Sequence, residues 1–588
     1  MQKNSVNFAC EMKKKLFWAL IILLIQLETL AQNVFLDTQS PSKEPLHEMR
    51  AVWLATIGGI DWPHSYSRSL YSELKQKQEL CDILDNLSAA GINTVLMQTR
   101  IRATTIFPST MEPWDGCLSG IPTQSPGYDA LAFAIDECHK RGMKFHAWVV
   151  AIPVGKWDGA GCKALRKSAP SVLKRIGNEG FMNPEADGTA SYLARFCKDV
   201  AARYDVDGIH LDYIRYPEAW KKIKSHDKGR ECITRIVRAI RDAVKEVKPW
   251  VMLSCSPIGK YADTKRQWSN GWNARDVVCQ DAAQWLEDGL MDALFPMMYF
   301  RGDNFYPFLI DWKERSANKI VTPGLGIYFL DEHEKNWALG DITQEMHVLR
   351  QFGMGNCMFR SKFFTDNTKG LYDYTKTVYS RTPSLQPAMT WYAKERPAVP
   401  RGVAVTNQRD GTWMLSWHAD TTSASCEGYG GSKLLYNVYG SDTAPVDTKV
   451  ADNLLMAAYE GTSIVVPQGR TVRHFAVTAT DRYGNESEPC QSFAGDAIGS
   501  EGAKPNVPGK TLEDDGRYVW LDECDVTLGQ LLEIHSLVGT VVTSCFVREQ
   551  YGRLFIDAQG MAAGHYVVYL INRKGHRHRL GTFSRAVC

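Results

Sequence analysis

Between Arg50 and about Asp373 the chain alternates strand-like and helix-like stretches eight times, and this alternation constrains the fold more than any other feature. Helices between successive strands make the strands parallel and cover both faces of the sheet. Eight such units favour an α/β fold of the closed (β/α)8 barrel type over an open doubly wound sheet. The strand-like stretches are 51–56, 93–100, 144–150, 205–217, 251–256, 293–300, 319–328 and 357–363. Helical stripes lie between them. Leu80, Ile83, Leu84 and Leu87 share one face of 75–90, which stops at Gly91; Ile233, Ile236, Val237, Ile240, Val244 and Val247 share another. Further helices are expected at 129–141, 191–204, 283–288, 305–315 and 344–351.

A chain of 588 residues exceeds a single core, so further domains are expected. Lys13-Lys14-Lys15, the apolar run Leu16 to Leu27 and Thr29-Leu30-Ala31 read as a secretory signal over 1–31. The apolar run is too short to span a bilayer comfortably, and no cysteine follows it closely for lipid attachment. The expectation is a periplasmic, secreted or cell-surface protein with no integral membrane segment after cleavage. A leader covers 32–47 and the barrel 48–383. After a linker at 384–396, the segment 397–493 has short strands with Trp413, Trp417, Tyr436, Val438, Phe475 and Val477 at alternating positions. A second linker, 494–512, leads to a β-rich segment at 513–588. The net charge of +2, with both signs interleaved, gives no footprint for nucleic acid. Fourteen of the 15 cysteines follow the signal, without CxxC pairs or histidines at zinc spacing. Cys81, Cys138, Cys197, Cys232 and Cys255 fall in helix or strand patterns and read as buried thiols, whereas Cys117 and Cys162 fall in loops open to a disulfide.

The chemistry is expected in DVDGIHLDYIRYP, Asp205 to Pro217. Strand side chains alternate, so Ile209 and Leu211 face the helices while His210 and Asp212 face the barrel interior at its carboxyl end, where barrel enzymes keep their sites. The many tryptophans and tyrosines suit sugar stacking, and if the site takes a glycan, hydrolysis needs a proton donor and a second carboxylate. Asp212 supplies the first; its alternative role is to cap a loop or pair with Arg215. His210 is a candidate to orient it or hold a hydroxyl, or else a core histidine. Glu112, in the loop after strand two, is one candidate for the second carboxylate, and Asp331 and Glu332 after strand seven are others that also read as solvated loop charges. Gln98, Arg100 and Arg102 share a parity at the end of strand two and are expected to hold a carboxylate or sugar hydroxyls, against the alternative of an internal ion pair. His146 and Trp148 on strand three, with Trp62, Trp114, Tyr299 and Arg301 near other strand ends, complete the expected lining, the aromatic rings stacking on pyranose faces. No P-loop, dinucleotide fingerprint or metal-ligand cluster occurs, so neither cofactor nor metal is expected.

Four stretches, MRAVWLATIGGIDWP, NTVLMQTRIRATTIFPSTMEPW, PGYDALAFAIDECHKRGMKFHAW and YDVDGIHLDYIRYP, together resemble glycoside-hydrolase-like family 10, the domain of unknown function 187 group. The resemblance implies a barrel enzyme acting on bacterial cell-wall glycan, particularly strands stripped of peptide. It adds Asp61, of IDWP, as first choice for the second carboxylate, with an Asx-turn role as the alternative. Two positions depart from the family: Tyr213 follows Asp212 where many relatives have a second aspartate, and strand three runs into Val149-Val150-Ala151-Ile152-Pro153. Strand four also resembles the chitinase-like DGxDxDxE, with Asp207 and Asp212 matching but Ile214 at the catalytic glutamate. The segment 397–493 resembles a fibronectin type III domain, and 513–588 resembles the C-terminal sorting domains of Bacteroidetes secreted proteins. Two functional classes follow: a glycoside hydrolase (retaining or inverting) whose partner is a polysaccharide or peptidoglycan glycan, and a catalytically silent glycan-binding barrel.

Overall fold

A computed structural model describes residues 42–220, 223, 225–392, 395–407, 413–419, 434–466, 472–492, 511–515, 517–522, 524, 526–528, 530–536, 541–550, 553–558, 561, 564–571 and 577–585. The expected signal segment and most of the 494–512 linker lie outside them.

The eight strand positions are all occupied: β1 (Arg50–Leu54), β2 (Thr94–Arg100), β3 (Lys144–Val150), β4 (Gly208–Asp212), β5 (Met252–Cys255), β6 (Ala293–Leu294), β7 in two pieces (Ile320–Val321 and Gly324–Leu325) and β8 (Asn356–Met358). Every pairing among them is parallel. The first piece of β7 pairs with β6 and the second with β8, so the ring closes through one strand interrupted at Thr322-Pro323. Strand six is far shorter than its apolar run because Pro296, like Pro323, has no N–H to give the ladder.

Helices α1 (Leu70–Ala89), α2 (Ala130–Lys140), α3 (Asp187–Arg203), α4 (His226–Val247), α5 (Ala282–Glu287), α6 (Tyr306–Glu314) and α7 (Leu339–Gln351) surround the ring. The first begins five residues before the apolar stripe suggests, because Ser69 caps it and Ser72 returns the bond. Val52, Leu54, Val95, Phe145, Ile209, Leu211 and Leu253 pack outward against this layer. Ala51, Trp53, Leu96, Trp148, Met252, Phe295 and Cys357 fill the interior. Cys117 and Cys162 sit buried and unpaired in short helices rather than loops, so the disulfide open to them is not formed.

The amino-terminal floor of the barrel is covered by residues from outside 48–383. Met389 and Tyr483 are buried in the interior cluster, with Trp391 and Tyr392 packed against it. The Trp391 indole N–H donates to Asp292 (3.1 Å), and Arg482 donates to Asp205 (2.7 Å) just before β4. Residues 401–491 form a sandwich of a three-stranded and a four-stranded antiparallel sheet, and 513–585 a second sandwich of two four-stranded sheets. Glu533 of the second sandwich approaches Lys140 of α2 (3.7 Å).

Burial of Met389 and Tyr483 is worth about 1.5–3 kcal/mol each. A fragment ending at Pro383, which the sequence suggests is self-sufficient, is therefore expected to melt below a fragment ending at Ser492. Thermal unfolding by circular dichroism makes the comparison; equal Tm values would show that the floor needs no cover.

Candidate active site at the carboxyl end of the barrel

Asp212 ends β4 with its side chain inside the barrel and is 7% exposed. Register places Trp148 beside His210 and Val150 beside Asp212, so the Trp148 indole leans toward the carboxylate. Its Nε1–H donates to Asp212 Oδ2 (3.1 Å); Ser256 Oγ donates to Oδ1 (2.7 Å), as does the Tyr213 backbone N–H (2.8 Å). Tyr213 reaches this position in the left-handed region (φ 51°), which a tyrosine occupies at a cost. Burial pushes the Asp212 carboxyl above its ordinary range, against the opposing pull of Ser256, Arg215, the Tyr213 N–H and Trp148. A carboxyl so placed is poised to hold a proton and give it up to a bound oxygen.

Beside it opens a cleft of about 560 Å³ built by the loops after β5, β6 and β7. Tyr299 links the two: it lines the cleft, and burial, with the neighbouring charges of Asp212 and others, pushes its phenol well above the ordinary range. Tyr299 stacks on Phe359 with ring centres 5.3 Å apart. The loop after β5 is pinned by Lys260, whose ammonium donates to Ser269 Oγ (2.8 Å), the Asn270 carbonyl (3.2 Å) and Asp263 (3.3 Å). That loop presents Trp272, 41% exposed, to the cleft and Trp268, 78% exposed, to solvent. Arg301 reaches the opposite wall beside Trp337 and Lys335. Arg215 lies buried between, its guanidinium 4.6 Å over the Tyr213 ring and 5.8 Å from that of Trp272, while it donates to Glu218 (2.7 Å).

Of the expected residues, Asp212, Trp148, Arg215, Tyr299 and Arg301 come together here. The others are placed elsewhere. Arg100 does not share a face with Gln98, because a bulge between them breaks the alternation: Gln98 pairs with Trp148 and Arg100 with Val149. The bulge sends Arg100 outward, where it pairs with Glu112 (2.7 Å), lies 5.5 Å over Phe196 of α3 and donates to the carbonyls of Val150 and Ala151. Glu112 also accepts from Tyr192 (3.2 Å), so it sits in the outer layer and not in the cleft. Burial opposes the Arg100 charge, but Glu112 more than offsets it and the guanidinium stays charged. Gln98 accepts from the Thr56 and Ile57 N–H groups (3.2 and 2.9 Å) and shapes the loop after β1. Arg102 is exposed and packs over Gly155.

Asp61 is enclosed. Its Oδ2 accepts from the Ala55 N–H (2.8 Å) and its Oδ1 from Arg360 and the Lys362 N–H, so it ties the loop after β1 to the chain after β8. Burial nonetheless pushes its carboxyl up, with Arg360 opposing. Trp62 is fully buried outside the ring and donates to the Gln76 carbonyl of α1 (2.9 Å). Trp114 is half-buried against the same outer layer.

His210 and His146 belong to the barrel interior below the site. The Trp53 indole donates to His210 Nε2 (3.2 Å), which leaves the proton on Nδ1 to donate to Ser254 Oγ (3.0 Å). Burial, then the neighbouring His146, keeps that ring neutral. Burial likewise lowers His146 to about 4. Its ring lies so close to Gly208 that a Cβ there would stand 2.7 Å from it, which explains the glycine. Asp331 caps a turn by accepting from the His333 N–H (2.8 Å), and Glu332 is exposed. Among the described residues, no three His, Cys, Asp or Glu side chains are grouped to hold a metal.

Sequence reasoning missed Trp268, Trp272, Lys260, Lys335 and Trp337. The run WSNGW within a long loop after β5 is the signal that points to the two tryptophans.

A parallel barrel with an enclosed carboxyl, raised by burial, and an aromatic cleft at the strand ends defines the class. Within it, the model of the family described as glycosyl hydrolase-like 10 matches residues 48–225 and 218–329. Glycosyl hydrolase YngK of Bacillus subtilis (strain 168) is 27% identical over 407 residues, covering 62% of this chain and 78% of that protein. Glycosyl hydrolase DigH of Escherichia coli (strain K12) is 28% identical over 353 residues, covering 53% and 80%. Among solved structures, the catalytic domain of beta-amylase from Paenibacillus polymyxa is similar over 57% of this chain and 99% of that one, at a TM-score of 0.38 and 10% identity, too low to bear on fold or function.

Removing the Trp148 indole N–H takes away a donor that favours ionised Asp212. In Trp148→Phe the carboxyl rises further, so the alkaline limb of kcat/KM is expected to move to higher pH. A pH–rate profile reads this directly; an unmoved limb would mean that another group sets it.

Proposed function

We propose that the protein is a secreted glycoside hydrolase in which Asp212 protonates the leaving oxygen of a glycan bound along the cleft. The observation that carries the reading is the enclosed Asp212 carboxyl, raised by burial, held by Trp148 and Ser256 and linked through Tyr299 to an aromatic cleft. The match to glycosyl hydrolase-like 10 and the names of the relatives support a glycan-acting hydrolase. For the substrate we favour bacterial cell-wall glycan freed of peptide, on the four-motif resemblance. Export to the periplasm or beyond rests on the amino-terminal signal pattern alone, and among the described residues no helix is long and apolar enough to cross a membrane. The three-plus-four strand order supports a fibronectin type III-like reading of 401–491, with a positioning role.

A second reading, a silent glycan-binding barrel, is favoured by one observation: Asp61 and Glu112 are both consumed by ion pairs away from Asp212. Incubation with peptide-free peptidoglycan strands and a polysaccharide panel, read as new reducing ends, separates the two. Binding without any product would leave the silent barrel.

A further inference from the structure

The cleft carries a charge asymmetry that cleavage of a neutral glycan does not need. Among its lining residues are Lys260, Arg301 and Lys335, and none is an Asp or Glu. Lys260 is buried and engaged by its own loop, so its role there is structural. Arg301 and Lys335 differ. Their charges lie 5.4 and 5.8 Å from the ring of Trp337, both side chains reach solvent, and of the two Arg301 makes an ion pair among the described residues, with Asp341 at 3.0 Å on one nitrogen, and feels the charge of Glu345. Lys335 also lies 3.8 Å over Phe329 and forms no ion pair among the described residues. Across the cleft stands Trp272, and Tyr299 and Arg215 connect this space to Asp212.

We propose that the Arg301–Lys335 corner beside Trp337 is a subsite for an anionic sugar, with the pyranose ring against Trp272 and its carboxylate or sulfate ester on the two cations. A planar guanidinium suits either acid, and an ammonium on a flexible stem adjusts beside it. Without an acid in the lining, a neutral sugar leaves Lys335 and the remaining nitrogens of Arg301 to water, whereas a charged one displaces that water for charge-assisted bonds. This deepens the glycan-cleaving reading of the same cleft and rests on it for the identity of the ligand as a sugar.

The test is calorimetric binding in the Asp212→Asn protein, so that ligand is not consumed. The probes are a peptide-free peptidoglycan tetrasaccharide, the same tetrasaccharide with its carboxyls reduced to alcohols, and a sulfated fucan tetrasaccharide with its desulfated form. At least one charged probe is expected to bind about tenfold or more tightly than its neutral form, with the gap shrinking in high salt. Adding Arg301→Gln and Lys335→Gln should remove that advantage and leave the neutral probe unchanged, while Trp272→Ala should weaken charged and neutral forms alike. The preferred pair tells carboxylate from sulfate. Equal binding of charged and neutral forms, equal losses for both in the double variant, or no binding by any probe would overturn the subsite. A charge preference that survives while the wild type cleaves nothing would uphold the subsite and end the hydrolase reading instead.

Discussion

Asp212→Asn is expected to lower cleavage of the glycan substrate by at least about 100-fold while leaving its binding largely intact. The substitution keeps the shape of the side chain but removes the proton that a general acid at this position has to deliver. Trp148 and Ser256 hold the carboxyl by bonds of 3.1 and 2.7 Å, so its position is fixed before substrate arrives. The barrel beneath does not depend on this group: the interior is filled by Trp53, Phe295, His210 and their neighbours. A loss of turnover without a loss of fold is therefore the expected pattern, read from reducing-end release together with circular dichroism. Undiminished turnover in a folded variant would remove Asp212 from the chemistry.

Glu112→Ala is expected to do the reverse. Glu112 neutralises Arg100, whose guanidinium is fully buried between the ring and α3. Breaking one side of such a pair leaves a charge with no solvent and no counter-ion, at a cost of about 3–5 kcal/mol. The Val150 and Ala151 carbonyls that Arg100 also holds lie at the last residue of β3 and the one after it, so the loss should be felt in the barrel wall. Urea unfolding should show the full destabilisation, while the protein that remains folded keeps its turnover. If instead the variant kept its stability and lost turnover, Glu112 would be the second carboxylate after all.

The closed ring was legible because its signal is redundant. Each strand's outward residues match an apolar helix stripe, and the parity that placed Asp212 inside the barrel holds along β4. The site was legible only where that parity ran unbroken. At β2 one extra residue reverses the facing of Arg100, and nothing in TVLMQTRIR marks where a bulge falls. Trp62 follows a strand end in sequence but turns outward to meet α1, a placement fixed by tertiary packing and not by local pattern. Asp61 and Glu112 are carboxylates near strand ends, as a hydrolase requires, yet each answers a cation that only the fold brings to it, half-buried Arg360 in one case and buried Arg100 in the other. The cover over the floor was hidden for a related reason. Trp391 and Tyr483 sit among polar and turn residues, and both pack against the interior cluster from outside 48–383.

General-acid action by Asp212 has one sharp consequence. Protonation matters for a poor leaving group and hardly at all for one that departs as a stable anion. The decisive measurement compares Asp212→Asn with wild type on the glycan and on a dinitrophenyl glycoside of the sugar it cleaves. The variant should lose about 100-fold or more on the glycan and little in the bond-breaking step with the dinitrophenyl compound. Equal losses on both substrates would contradict proton donation by Asp212.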